Sequence, residues 1–94
     1  MDEKTAAFYE RLKQELQTTS DWPGLYLFKF IVPTDKSKIV EVEAAFDNLG
    51  AVIRTTQSKN GKFTSISINV EMQSPDHVIE KYQTVSTIEG IISL

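Results

Sequence analysis

Ser58-Lys59-Asn60-Gly61-Lys62-Phe63-Thr64-Ser65-Ile66-Ser67-Ile68 is the stretch that decides the fold. Asn-Gly accepts the positive φ angles of a two-residue type I′ hairpin turn. The residues after it alternate polar and apolar, the period of a half-buried strand. Residues 51–58 and 62–73 therefore read as two antiparallel strands. A two-residue loop sets Lys59 opposite Lys62, Ser58 opposite Phe63, Thr56 opposite Ser65, Arg54 opposite Ser67 and Ile53 opposite Ile68. Because side chains alternate, Ile66, Ile68, Val70 and Met72 share a core face with Ala51 and Ile53. Phe63, Ser65, Ser67, Asn69 and Glu71 share the opposite face with Arg54 and Thr56.

Working outward, residues 25–32 (LYLFKFIV) form a short aromatic and aliphatic run between Gly24 and Pro33, the first strand. Thr34 or Asp35 caps a helix whose apolar positions Ile39, Val42, Phe46 and Leu49 recur at three and four, with Gly50 as its stop. After the hairpin, Ser74-Pro75-Asp76 combines a cap, a first-turn proline and an acid at the positive end of a helix. Val78, Ile79, Tyr82 and Val85 supply its inward face, and residues 91–94 give a last strand. Upstream, Phe8, Leu12 and Leu16 mark an amphipathic helix over residues 5–17, ended by Thr18-Thr19-Ser20-Asp21 and Pro23-Gly24. The order is a helix, then βαββαβ. It predicts an α+β fold: a ferredoxin-like two-layer sandwich with a four-stranded antiparallel sheet. Residues 1–21 are an added helix and connector, and residues 22–94 are the domain.

In the first strand, Lys29 selects the parity, because a buried unpaired ammonium is costly. Tyr26, Phe28, Phe30 and Val32 then point inward, and Leu25, Leu27, Lys29 and Ile31 point outward. The outer face thus mixes polar Lys29, Arg54, Thr56, Ser65, Ser67, Asn69 and Glu71 with apolar Leu25, Leu27, Ile31 and Phe63. Glu71 is the expected ion-pair partner of Lys29. Large apolar patches are uncommon on monomers, so three coverings stand open: the N-terminal helix folded back onto the sheet, a second copy of the chain, or an unrelated protein.

Composition narrows the chemistry. The 94 residues carry 40% apolar and 24% charged side chains, three Pro and four Gly, as a single globular domain does. With no cysteine there is no disulfide framework and no thiol chemistry, and a reducing, cytoplasmic setting fits. The charged start and the lack of a long apolar run argue against a signal peptide or membrane partner. A net charge of −3 and a pI near 5.0 disfavour nucleic acid as a partner. Residues 60–66 resemble the RNA-recognition motif superficially, yet Ser65 and Ser67 stand where stacking rings are needed.

No catalytic set assembles. His77 is the one histidine and begins a helix, where a surface role suits it, and neither a triad nor a His-based metal site can be built around it. Glu41 with Glu43, and Asp2 with Glu3, read as solvated charge. Trp22 reads as a plug at the edge of the core, and Lys59-Asn60-Gly61-Lys62 as a solvated turn tip. No cofactor or metal is expected, and the chain reads as a non-enzyme.

Trp22-Pro23, Lys29, Ser58-Lys59-Asn60-Gly61-Lys62-Phe63-Thr64-Ser65 and the helix bearing Tyr82 resemble the YbeD-like family, small bacterial proteins without an established function. The most specific piece is Ser58, Gly61, Phe63 and Ser65, with the hairpin glycine shifted by one residue in the turn, at Gly61 after Asn60. The similarity spans roughly residues 20–94. It implies a ferredoxin-like fold similar to ACT regulatory domains and carries the label of lipoate regulation. ACT domains that bind amino acids have a glycine-bearing loop after the first strand, where this chain has Val32-Pro33-Thr34-Asp35-Lys36.

Two functional expectations follow. One is a non-catalytic regulatory or interaction module that binds a protein partner, or a second copy, through its sheet face or edge. The other is a sensor of a small anionic metabolite, with Lys29 and Arg54 holding the anion and Ser65 and Ser67 donating hydrogen bonds.

Overall fold

The computed structural model describes residues 2–94; Met1, at the start of the expected N-terminal segment, lies outside the described residues. Along them run α1 (Glu3–Thr19), β1 (Gly24–Pro33), α2 (Lys36–Ala44), β2 (Val52–Gln57), β3 (Phe63–Met72), α3 (Pro75–Val85) and β4 (Ile92–Ser93). The sheet order is β2-β3-β1-β4, with every neighbouring pair antiparallel. This is the ferredoxin-like arrangement with one helix in front of it.

Each helix starts where a short polar side chain satisfies a free backbone donor. The Asp2 carboxylate accepts the Thr5 N–H at 2.7 Å, so α1 begins two residues earlier than its apolar spacing indicates. It also runs on through Thr18 and Thr19, whose hydroxyls donate back to the Glu15 carbonyl and remain within the helix. The Asp35 carboxylate accepts from both the hydroxyl and the N–H of Ser37. Hydrogen bonds of this kind hold the Asp2 and Asp35 carboxyls below the usual carboxylate range. Ser74 caps α3 through the His77 N–H, and the His77 ring answers, its Nδ1 accepting the Gln73 N–H at 3.2 Å. His77 is therefore a capping residue.

One helix end differs from the sequence pattern. Regular α2 stops at Ala44, and the chain reaches Gly50 through successive turns in which Asn48 and Gly50 take φ of 64° and 70°. Phe46 and Leu49 still meet the core from this segment. An apolar spacing of three or four is kept by turns as well as by a helix.

The core lies between the sheet and α2 and α3. Phe28, Phe30, Val32, Ile66, Ile68, Val70 and Met72 face Val42, Phe46, Val78 and Val85, all buried. Both strand parities inferred from the sequence hold. Phe28 is the centre of an aromatic group, its ring centroid 4.7 Å from Tyr26, 4.9 Å from Phe46 and 5.1 Å from Tyr82. Thr64 is the buried polar residue here, and its hydroxyl lies 2.9 Å from that of Thr34.

α1 does not cover the open sheet face. It lies against α3 in the helical layer, with Lys13 Nζ 3.0 Å from Asp76 and Leu12 and Leu16 joined to the core cluster. The Trp22 indole N–H donates to the Leu16 carbonyl at 2.9 Å and its ring packs against the core edge, across a cis Trp22–Pro23 peptide. Tyr26 and Tyr82 already offer α1 an aromatic wall beside α3, and Phe8, Tyr9 and Leu12 line a hollow of about 270 Å³ with them. The helix buries Leu16 and half-buries Leu12 on that side, Phe8 remains 54% exposed, and the other side of the sheet is left to solvent.

Candidate functional site

The hairpin sets the register of this open face, but its loop is not the two-residue turn that Asn60-Gly61 suggests. The Gly61 N–H donates to the Ser58 carbonyl at 2.8 Å and the Ser58 N–H to the Phe63 carbonyl at 2.7 Å, so Lys59 to Lys62 form a four-residue loop. Only Gly61 in it has a positive φ, 76°. Side chains replace the missing backbone partners. Asn60 Oδ1 accepts the Lys62 N–H and the Ser58 hydroxyl, and Ser58 Oγ accepts the Phe63 N–H, each at 3.0 Å. A four-residue and a two-residue loop centred on the same bond give the same pairing. Gln57 therefore faces Thr64, Thr56 faces Ser65, Arg54 faces Ser67 and Ile53 faces Ile68.

β1 completes the rows. Lys29 pairs with Ser67, and Ser67 with Arg54, so the three stand in one line across β1, β3 and β2. Ser65 lies in the adjacent row between Ile31 and Thr56, and Ile31 also pairs with Ile92 of β4. On the other side of the cations, Leu27, Asn69 and Val52 form a row, with Leu25 opposite Glu71 beyond it. The four candidate residues Lys29, Arg54, Ser65 and Ser67 thus share one patch. Lys29 and Glu71 do not pair: the register sets Glu71 four residues along, opposite Leu25. Among the described residues, the ion pair is Lys13 with Asp76 on the far side. The hydrogen bond that Lys13 donates to Asp76 raises the Lys13 pKa above its ordinary value.

The apolar part of the patch is accessible. Leu25 is 79% exposed, Val52 58%, Ile92 52%, and Leu27 and Phe63 47% each. Val52 was legible from its parity with Arg54. Ile92 was not, because its position needs the register of β4, which no turn signal supplies. A hollow of about 570 Å³ lies at one end, lined by Leu25, Leu49, Val52, Asn69 and Glu71 among others. Another of about 440 Å³ lies at the hairpin end, lined by Ser58, Lys59, Asn60 and Phe63. Phe63 is the one aromatic on this face among the described residues, so the face lacks the ring pair of an RNA-reading sheet.

The family-motif residues fall in two places. Ser58, Gly61 and Phe63 build the hairpin loop and the hollow beside it, while Trp22 and Pro23 sit at the junction of α1 with the core. Sequence reasoning missed the Tyr26–Tyr82 hydroxyl pair, 2.9 Å apart. Burial and that bond push the Tyr82 phenol up from its ordinary pKa. No helix among the described residues is long and apolar enough to cross a membrane.

Comparison with known proteins gives one result. Neither the curated proteins nor the solved structures include a match to the chain. The model of a family described as a protein of unknown function, DUF493, matches residues 17–94. The chain belongs to this DUF493 family, the YbeD-like family that its Trp22-Pro23 and Ser58 to Ser65 residues resemble.

Proposed function

We propose that this domain is a non-catalytic interaction module of the cytoplasm that binds a protein through the open face of its sheet. The observation that carries this reading is the position of α1. The chain's own amphipathic helix lies on α3, so Leu25, Leu27, Val52, Phe63 and Ile92 remain exposed around a polar centre. Exposed apolar surface of this extent on a small domain marks a contact site. The test is site-specific photo-crosslinking in cells expressing the full chain, with the photoreactive residue at Leu27 on the open face or at Glu80 on α3. A discrete adduct from position 27 that is absent from position 80 is expected. Equal labelling from both positions, or none from position 27, overturns the reading.

A second reading, a sensor of a small anionic metabolite, is favoured by the single row of Lys29, Ser67 and Arg54. It requires a rise in melting temperature with a metabolite such as lipoate or an amino acid, abolished by Lys29→Ala. No rise at millimolar ligand counts against it.

A further inference from the structure

We infer that the partner of the open face is an acidic amphipathic α-helix laid along β3, its carboxylates held by Lys29 and Arg54. The inference rests on the interaction-module reading above and adds the chemistry of what binds.

Three features of the face point to this occupant. The first is the shape that side-chain size gives it. Outward from β3 stand the short Ser65 and Ser67, while β1 on one side carries Lys29 and Ile31 and β2 on the other carries Arg54 and Thr56. The middle of the face is therefore low at Ser65 and Ser67, with Lys29 and Ile31 raised on one flank, Arg54 on the other, and Phe63 and Asn69 standing at the two ends. Neighbouring strands lie about 4.8 Å apart, so the Lys29 and Arg54 backbones are roughly 10 Å apart. That is close to the width of one helix.

The second is charge. Lys29 and Arg54 stand in the middle row, without an ion pair among the described residues, and the one carboxylate on the strands of this face, Glu71, is at its end opposite Leu25. A second copy packed face to face about a two-fold axis, with full overlap, lays this cationic row on itself, an arrangement that like-charge repulsion disfavours. An acidic partner meets it with opposite charge.

The third is backbone satisfaction. β3 is paired on both sides and has no free backbone groups to offer. An extended segment laid across the face would leave its own N–H and C=O groups without partners, whereas a helix brings them already paired. The hollows at Phe63 and at Asn69 are six residues apart on β3, roughly 20 Å, which a helix spans in about 13 residues. The binding helix thus carries apolar anchors about 13 residues apart and carboxylates between them.

The probe is a pair of fluorescein-labelled synthetic helices of about five turns with the same leucine stripe, one flanked by Glu and the other by Lys at every charged position. Binding to the full chain is followed by anisotropy, and the contact is located by amide chemical-shift changes. The Glu helix is expected to bind about tenfold tighter than the Lys helix at low salt, to shift β1 and β3 resonances, and to lose its advantage as salt rises. Lys29→Ala and Arg54→Ala are each expected to weaken it about two- to fivefold, and Lys29→Glu/Arg54→Glu to reverse the preference. These residues are exposed, and the amide spectrum of each variant verifies its fold. Equal binding of the two helices on this face overturns the acidic partner and leaves the interaction module standing. Shifts confined to α1 and α3, or none with either helix, overturn the inference, and crosslinking at position 27 then decides the module separately. Inorganic phosphate reproducing the same shifts and displacing the Glu helix assigns the cations to a small anion and also overturns it.

Discussion

The phenolic oxygens of Tyr26 and Tyr82 lie 2.9 Å apart and join β1 to α3 at the edge of the aromatic core. Their rings meet edge to face with centroids 6.4 Å apart. Removing either hydroxyl leaves the other to seek water beside a half-buried ring. Tyr82→Phe is therefore expected to cost about 1 kcal/mol in denaturant unfolding, and Tyr26→Phe a similar amount. If the bond carries the effect, Tyr26→Phe/Tyr82→Phe costs less than the two single changes summed. Strict additivity contradicts that coupling.

The same pair predicts a pH dependence. Burial first, and the bond to Tyr26 second, raise the folded-state pKa of Tyr82 above its unfolded value. Above about pH 10 the unfolded chain gives up this proton while the folded chain keeps it. The unfolded state then binds fewer protons, so stability falls as pH rises. The contribution is complete below the unfolded pKa and is lost as pH rises through the folded one. Unfolding free energies between about pH 8 and 11 are expected to decline more steeply for the wild type than for Tyr82→Phe. Parallel curves contradict the assignment.

The sequence shows most of the fold because its strongest signals are local. The alternation from Phe63 to Met72 and the Asn60-Gly61 turn fix the register of β2 on β3, and the charge of Lys29 fixes the parity of β1. What it could not show depends on competition between distant surfaces. The stripe of Phe8, Leu12 and Leu16 suits either the open sheet or α3, and the choice follows from the wall of Tyr26 and Tyr82, which exists only after folding. The line of Lys29, Ser67 and Arg54 was half legible. The hairpin pairs Arg54 with Ser67, but Lys29 enters the row only through a β1–β3 pairing that no short turn fixes. The expected partnership of Lys29 with Glu71 failed for that reason. Parity placed both residues on one face, and parity is silent about distance along a strand.

Gly61 is predicted to be required for its backbone angle alone. Its φ is 76°, and a Cβ at this position would lie 3.8 Å from Gln57 Oε1, an ordinary contact. Gly61→Ala is expected to cost about 1–2 kcal/mol through the left-handed conformation, and Gly61→Asn distinctly less, because Asn visits that region more readily. Midpoints of urea unfolding separate the two. Equal losses for Ala and Asn would mean that space rather than φ restricts the site.

The open face is predicted to add little to folding. Leu25 is 79% exposed, so replacing it removes almost no buried area. Leu25→Ser is expected to change stability by less than about 0.5 kcal/mol. Phe28→Ala, at the centre of the aromatic group, is expected to cost about 3–5 kcal/mol. Denaturant curves for the two variants make the comparison. A large loss for Leu25→Ser would show that the sheet face serves folding and would weaken the case for a partner there.

Trp22, the only tryptophan in the chain, reports on the docking of α1. Its indole N–H donates to the Leu16 carbonyl at 2.9 Å, and Leu16 is buried against the core. Leu16→Ala removes the side chain that fixes the end of the helix, at a cost of about 2 kcal/mol, and the emission of Trp22 is expected to shift to the red as water reaches the ring. Lys13→Ala cuts the ion pair to Asp76 in the middle of the same helix. Exposed pairs of this kind contribute little, so the emission is expected to stay where it is in the wild type. The two variants separate apolar docking from electrostatic docking. A red shift in Lys13→Ala with none in Leu16→Ala would mean that the ion pair, and not the leucine, holds α1 on α3.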